Sequence, residues 1–333
     1  MNNKLGICIP TFKRPDQLRW CLESVLVACR PFEVSIVVTD DSCDDTNKSV
    51  RDWLLQTYPH SKWIANPSNL GIDGNILNAV DCCPSQYAWL LGEDDRMQPD
   101  AVKVVMEALG RLEKSVPFVF INYASVDSGI QRYLKRRALP FESDIVLEWD
   151  TFAEKYAWAM GFIGGCLISK DAWRACRTER YTGTYFAHSA HILEMIIEHD
   201  VPVIAESLVL NRCGDPRLFT WTEHFFDVLS GWARMVSLLP SDYDQPRRTR
   251  CIDAFERAHG IGTLVFLCYA RAEGAYNLNM YQLHVKPRKQ GRLYNLLARI
   301  IGISPPIIFQ LLRMTVARMR SVTLPKTNFR DTN

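Results

Sequence analysis

Three consecutive carboxylates, Glu93-Asp94-Asp95, are the residues of this chain best suited to chemistry. They follow an apolar run, Ala88-Trp89-Leu90-Leu91, that reads as a buried strand and is broken by Gly92. Pro99 and Asp100 then open a helix. The acids therefore sit at the carboxyl end of a strand, just ahead of a helix, where open α/β sheets bind ligands. Adjacent carboxylates repel, which costs stability unless a cation joins them. Hard divalent cations such as Mg²⁺ and Mn²⁺ take oxygen ligands and bridge to substrate phosphates. The triplet reads either as a cation–diphosphate site or as a solvated acidic turn, and taken alone it does not separate the two.

The surrounding pattern adds weight. Residues 5–11, 33–39, 62–65, 87–91 and 116–121 read as strands. Helical spacing separates them, as in Leu18, Cys21, Leu22, Val25 and Leu26, or Val102, Val105, Met106 and Leu109. Such alternation predicts an α/β fold with a mainly parallel sheet and helices on both faces. Thr11, the pair Asp40-Asp41 and the acidic triplet all fall just after strands, so they converge on one sheet edge. Scattered surface acids would not do this.

The second half is less regular. Residues 129–148 are basic and weakly patterned, an irregular loop or hairpin. Residues 149–160 and 188–199 read as helices, 164–169 as a short strand, and 201–209 as a strand pair or one bent strand. Beyond residue 215 the pattern turns helical, over 221–239, 248–259 and 261–275. The expected division is a domain over 1–215, with halves at about 1–125 and 126–215, and a helical region over 216–333.

Composition narrows the classes. The 333 residues are 47% hydrophobic and 23% charged, an ordinary globular balance. A net charge of +2 gives no reason to expect a nucleic-acid partner. Eleven cysteines, an odd number with no CxxC, several in apolar segments, favour reduced thiols in the cytoplasm over a disulfide framework. The opening MNNKLGICIPTFKRP has too short an apolar run for a signal peptide, and no run reaches the ~20 residues that span a bilayer. The first strand leads into PTFKRP and not a G-x-G-x-x-G turn, which argues against a dinucleotide-binding dehydrogenase.

Four segments together carry a resemblance: IPTFKRP (9–15), VVTDDSCDDT (37–46), NLG (69–71) and LLGEDD (90–95). In order and spacing they resemble the opening of a family 2 glycosyltransferase of the GT-A fold. The form GEDD is similar to bacterial O-antigen or capsule sugar transferases, including abequosyltransferase-like members. The resemblance covers about the first 100 residues well and continues loosely to about 215. It implies inverting transfer of a hexosyl or deoxyhexosyl group from a nucleotide-diphosphate sugar, with Mn²⁺ or Mg²⁺, to a hydroxyl of a glycan, lipid-linked in lipopolysaccharide or capsule synthesis. By position it implies that Pro10, Thr11 and Arg14 line the nucleotide, that Asp40 with Asp41 contacts the base, and that Asn69 and Gly71 shape the pocket. Asp94 falls at the family's metal acid. The usual DxD has an acid where this chain has Gly92, for which Glu93 or Asp95 compensates.

The family's base is an Asp in an acidic pair before a helix. Here that place reads Ala187-His188-Ser189-Ala190-His191. His188, with a reference pKa of ~6.5, suits a general base near neutral pH. Alternatively His188 or His191 serves the metal or the diphosphate, or His188 makes only structural hydrogen bonds at a helix start. Without the acidic pair, a non-catalytic nucleotide-sugar binder, regulatory or scaffolding, is the competing class. Arg212 pairs either with a phosphate or with a surface acid. Trp158, Trp173, Tyr181 and Tyr185 are platforms for a sugar face or core aromatics. Between Glu273 and Asp331 there are ten Lys or Arg and no acid. The amphipathic stretch 286–322 within this region lies either on an anionic membrane surface, holding the protein at the inner face of the cytoplasmic membrane, or against the protein or a partner subunit. Oligomeric state stays open.

Overall fold

A computed structural model describes residues 4–30, 32–112, 116–213, 225–288 and 291–323. Its centre is β1 (Leu5–Thr11), whose Leu5, Ile7, Cys8 and Ile9 are buried. In chain order there follow α1 (Pro15–Cys29), β2 (Ser35–Asp40), α2 (Lys48–Thr57), β3 (Ser61–Ala65), α3 (Gly71–Asp81), β4 (Tyr87–Leu90), β5 (Arg96–Met97), α4 (Ala101–Arg111) and β6 (Phe118–Asp127). Pro15, with its fixed φ and no N–H, starts α1 at a position where the donor would be orphaned anyway. Next come β7 (Tyr133–Lys135), β8 (Ile145–Leu147), α5 (Trp149–Lys155), β9 (Cys166–Ser169), α6 (Lys170–Cys176), α7 (Ala187–Met195) and β10 (Val201–Cys213).

Along the sheet the order is β3-β2-β1-β4-β9-β6-β10-β5, with β7 on β6 and β8 on β10. The four strands β3, β2, β1 and β4 are all parallel, as the alternation predicts. The other half is mixed. β9 runs antiparallel between β4 and β6, which separates two strands that are successive in the sequence pattern. β10 is one 13-residue strand parallel to β6, with its register shifted between Ile204 and Val209; it is the bent strand of the two alternatives. Residues 129–148 resolve into β7 and β8 and their loops.

The helical region continues with α8 (Phe225–Ser237), α9 (Gln245–His259), α10 (Leu264–Ala272), the single turn α11 (Leu278–Met280), α12 (Arg292–Ile303) and α13 (Pro306–Thr323). Asp244 caps α9 by accepting from the Arg247 N–H at 2.9 Å, and Thr263 caps α10. The expected division near residue 215 lies outside the described residues. The main core nevertheless takes in Trp232, Met235, Val236, Tyr243 and Phe255 of the segment around α8 and α9. A second, smaller core is built by Leu267, Ala270, Tyr276, Tyr281, Val285, Ala298 and Ile301. No single described helix is long and apolar enough to cross a membrane; α12 with Pro306–Thr315 meets that test only as a pair bent by 100°.

One close approach joins α8 to the body of the protein. A Cβ added to Gly231 would lie 2.1 Å from the carbonyl oxygen of Thr184, a backbone atom that cannot swing away. Gly231→Ala gains about 1 kcal/mol of helix propensity but meets an overpacking cost of about 1–3 kcal/mol. The expected net result is a lower urea midpoint for Gly231→Ala, read by circular dichroism.

Candidate functional site at the carboxyl edge of the sheet

Strand register brings the tips together. Thr11 pairs with Asp40, Cys8 with Leu90, and the Leu91 N–H donates to the Cys8 carbonyl at 3.0 Å. The Thr11 hydroxyl donates to Glu93 Oε2, and the Phe12 N–H donates to the same oxygen at 3.0 Å. Arg14, at the start of α1, places Nε 3.6 Å from Glu93 Oε1 and Nη1 3.6 Å from Asp94 Oδ2. Burial pushes Glu93 up to about 7, against the opposing pull of Thr11, Arg14 and the Phe12 N–H.

The acidic triplet is not one ligand set. Asp95 is buried and its Oδ1 accepts from the backbone N–H of Arg212 on β10 at 3.2 Å. Burial, with repulsion from Asp94, holds its carboxyl well above the usual range. Glu93 is tied to β1 and the loop after it. Among the described residues no three His, Cys, Asp or Glu gather as metal ligands. Of the expected set Glu93, Asp94 and Asp95, the Asp94 side chain is 27% exposed and lies 3.6 Å from Arg14 Nη1. Gly92 explains the departure from DxD. A Cβ there would lie 2.3 Å from Asp95 Oδ2, so an acid at 92 is incompatible with Asp95 in this position. A single, partly exposed carboxylate fits a Mg²⁺ or Mn²⁺ ion that would take its other ligands from a diphosphate and water.

The Asp40-Asp41 pair builds the adjoining loops. Asp40 Oδ1 accepts from the Ser42 N–H and from Asn47 Nδ2, both at 3.0 Å. Asp41 accepts from Asn66 Nδ2 at 2.9 Å and from the Leu70 N–H at 2.9 and 3.0 Å. Asn69 Oδ1 accepts from the Gly71 N–H at 2.7 Å, and Gly71 starts α3 at φ +69°, where glycine avoids strain. Lys13 and Cys43, neither of them glycine, take φ of 53° and 57° in these same loops. Such conformations cost about 1–3 kcal/mol each and persist where the surroundings impose them. Pro10 lies within β1 opposite Thr39 and lines the edge from behind.

His188 and His191 lie on α7, both buried. His188 Nε2 is 2.9 Å from the Met160 carbonyl, which fixes the proton on Nε2; Nδ1 is buried with no hydrogen-bond partner among the described residues. Burial lowers its pKa, so the ring is neutral. In His191, Nδ1 meets the Ala187 carbonyl at 2.7 Å and Nε2 meets the Thr178 backbone at 3.0–3.1 Å. Its ring packs on Trp173 and Tyr181. Both nitrogens of His191 are engaged inside the chain, which leaves none for a diphosphate or a metal. Arg212 reaches the site through its backbone, while its guanidinium lies 4.7 Å over the Trp20 ring. Among the described residues its neighbouring acid is the buried Asp95, which accepts from the Arg212 backbone N–H. Trp173 and Tyr181 are fully buried core aromatics, whereas Trp158 and Tyr185 are partly exposed.

Sequence reasoning missed Asp73 and the asparagines around it. Buried Asp73, in the first turn of α3, accepts from the N–H groups of Gly183 and Tyr185 at 2.9 Å and of Ala187 at 3.1 Å. Asn75 Nδ2 donates to the Thr11 carbonyl at 3.1 Å, and Asn66 Nδ2 donates to Asn75 Oδ1 at 3.1 Å. α3 thus links the tip of β1 to the start of α7. The signal was present: Asp73, Asn75 and Asn78 interrupt a helix whose Ile76, Leu77, Ala79 and Val80 mark it as buried.

Comparison with known proteins agrees with this geometry. Residues 6–171 match the family described as Glycosyl transferase family 2. The abequosyltransferase RfbV of Salmonella typhimurium is 27% identical over 107 residues, 32% of each chain. The GalNAc(5)-diNAcBac-PP-undecaprenol beta-1,3-glucosyltransferase of Campylobacter jejuni is 28% identical over 106 residues, 31% of this chain and 34% of that one. The matches thus span about a third of these relatives' lengths. Among solved structures, S. aureus TarS 1-349 in complex with UDP-GlcNAc superposes with a TM-score of 0.56 at 14% identity, covering 94% of this chain and 92% of TarS 1-349. The mannosyltransferase PcManGT from Pyrobaculum calidifontis, in complex with GDP-Man and Mn²⁺, gives 0.51 at 14% identity, covering 90% and 86%. At these identities the likeness establishes the GT-A fold.

The two buried clamps generate predictions. Asp73→Ala leaves three N–H donors without an acceptor and is expected to cost about 2–4 kcal/mol, read from urea denaturation. Burial depresses the pKa of His188, His191 and His259 in the folded protein. The unfolded chain therefore takes up more protons, and these groups withdraw stability as pH falls below about 6.5. His191→Gln is expected to make the acid limb of the stability–pH curve shallower.

Proposed function

From the premise that this chain, through residues 6–171, belongs to glycosyl transferase family 2, we propose that it moves a hexosyl or deoxyhexosyl group from a nucleotide-diphosphate sugar to a hydroxyl of a glycan, with inversion. The observation that carries the reading is the meeting of Thr11, Asp40-Asp41, Arg14 and Asp94 at one carboxyl edge of a parallel sheet. The nucleotide-sugar complexes among the structural neighbours support the donor class, and the Mn²⁺ of PcManGT supports a divalent ion. The PP-undecaprenol named in the Campylobacter jejuni relative supports a lipid-linked glycan as the proposed acceptor; bacterial surface polysaccharide synthesis, on the cytoplasmic side, is the proposed setting.

Asp94 would hold Mn²⁺ or Mg²⁺, which when bound neutralises the departing diphosphate. Arg14, poised between Glu93 and Asp94 and 21% exposed, supplies a second positive charge to that group. Asp40 and Asp41 act through the loops they brace, which frame the nucleotide. His188 is the proposed base through Nδ1: the Met160 carbonyl fixes the proton on Nε2 and leaves the Nδ1 lone pair to accept. The acceptor oxygen bonds to the anomeric carbon as the bond to the diphosphate breaks, and the hydroxyl proton passes to Nδ1.

The burial of His188 and the lack of an acidic pair at 187–188 favour a second reading, a nucleotide-sugar binder without turnover. A transfer assay with Mn²⁺, run beside calorimetric donor binding, separates them. On the enzymatic reading Asp94→Ala lowers turnover by about a hundredfold or more, and His188→Ala lowers it by about 10²–10⁴ while donor binding persists. Donor affinity with no transfer to any glycan acceptor would support the binder. Undiminished turnover in Asp94→Ala would end the metal-site assignment.

A further inference from the structure

We propose that α12 and α13 rest in the plane of an anionic lipid surface. Both helices pack on α10, and each leaves large aliphatic side chains exposed on the side away from its buried residues. α12 buries Ala298 and Ile301 on the inside. Its Leu293, Leu296, Ile300 and Ile303 are 44–69% exposed, at spacings of three and four that mark one helix face. α13 is held by its inward residues: Phe309 joins the small core, Gln310 donates to the Ala272 carbonyl at 3.0 Å, and Arg313 pairs with Glu273. Its Ile307 and Leu311 are more than half exposed. So many exposed large aliphatic side chains exceed the scattered apolar exposure normal for a protein in water.

Charge identifies the occupant. Residues 274–330 contain ten Lys or Arg and no acid. Arg292 and Arg299 are exposed and seven residues apart, so they share a line with Leu296 and Ile303 along the rim of the apolar face. A basic rim around an aliphatic face matches anionic headgroups above acyl chains. A second copy of the same face would set these bases against their own kind. Lying flat also follows from length. The 12 residues of α12 span about 18 Å, short of the ~30 Å apolar core, and the pair bends by 100°.

The test needs no catalytic turnover, so it stands or falls apart from the transferase reading. The full chain is sedimented with vesicles of phosphatidylcholine containing phosphatidylglycerol, and with vesicles of phosphatidylcholine alone. Binding is expected only to the first, weakening as salt rises. Arg292→Gln with Arg299→Gln is expected to lower partition by about thirtyfold, and Leu296→Gln with Ile300→Gln by about tenfold or more. All four side chains are exposed, so thermal melting should not change. Equal binding to both vesicles, or binding untouched by the arginine pair, overturns the proposal. So does a chain that ignores both vesicles, including one that light scattering shows as a dimer split by Leu296→Gln.

Discussion

A carboxylate taken out of water must be met by donors, and at this sheet edge the donors are mostly backbone N–H groups of other loops. Six acids crowd the region. Asp40 holds the turn at Ser42; Asp41 holds Leu70; Asp73 holds Gly183, Tyr185 and Ala187; Glu93 holds Phe12; Asp95 holds Arg212. Apart from the local Asp40–Ser42 turn, each of these bonds joins segments far apart in the chain. Asp94 is the member of this set left to a solvent-facing role.

This division of labour explains how much was legible beforehand. Strand tips carrying Thr11, Asp40 and Asp94 could be placed on one edge because apolar runs fix strands and connection rules fix their direction. What each carboxylate holds could not, since that depends on which backbone N–H arrives from over a hundred residues away, as Ala187 does at Asp73. The insertion of β9 was hidden for a similar reason. Its four residues CLIS are apolar on both faces and read the same in either direction. The partners of His191 were hidden in the same way: the carbonyl of Ala187, four residues back on its own helix, meets one nitrogen.

The helical region separates pattern from packing in another way. Hydrophobic periodicity identified its helices, and Asp244 and Thr263 cap two of them as their residue types favour. Periodicity did not say that α8 and α9 belong to the main core while α10 to α13 surround their own. Nor did it say which apolar residues of α12 turn inward. Ala298 and Ile301 do, and Gly302 allows it, since a Cβ there would press on the backbone of Asn277 at 3.3–3.4 Å. At Gly302 alone the approach to residues 277–278 is too close for a side chain.

The missing acidic pair before α7 takes a different meaning in this light. A carboxylate does stand at the amino end of that helix, accepting from the Ala187 N–H, but it comes from Asp73 on α3. A helix amino terminus favours a negative charge, so the site is satisfied electrostatically without an acid in its own sequence. Asp73 is buried and has three N–H partners, which makes it an anchor for the loop before α7. Its charge also acts on His188, opposing the desolvation that lowers the pKa of the ring. The charge and the ring of that locality thus lie on two elements: α3 supplies the Asp73 carboxylate, and α7 carries the His188 ring, whose Nδ1 has no hydrogen-bond partner among the described residues.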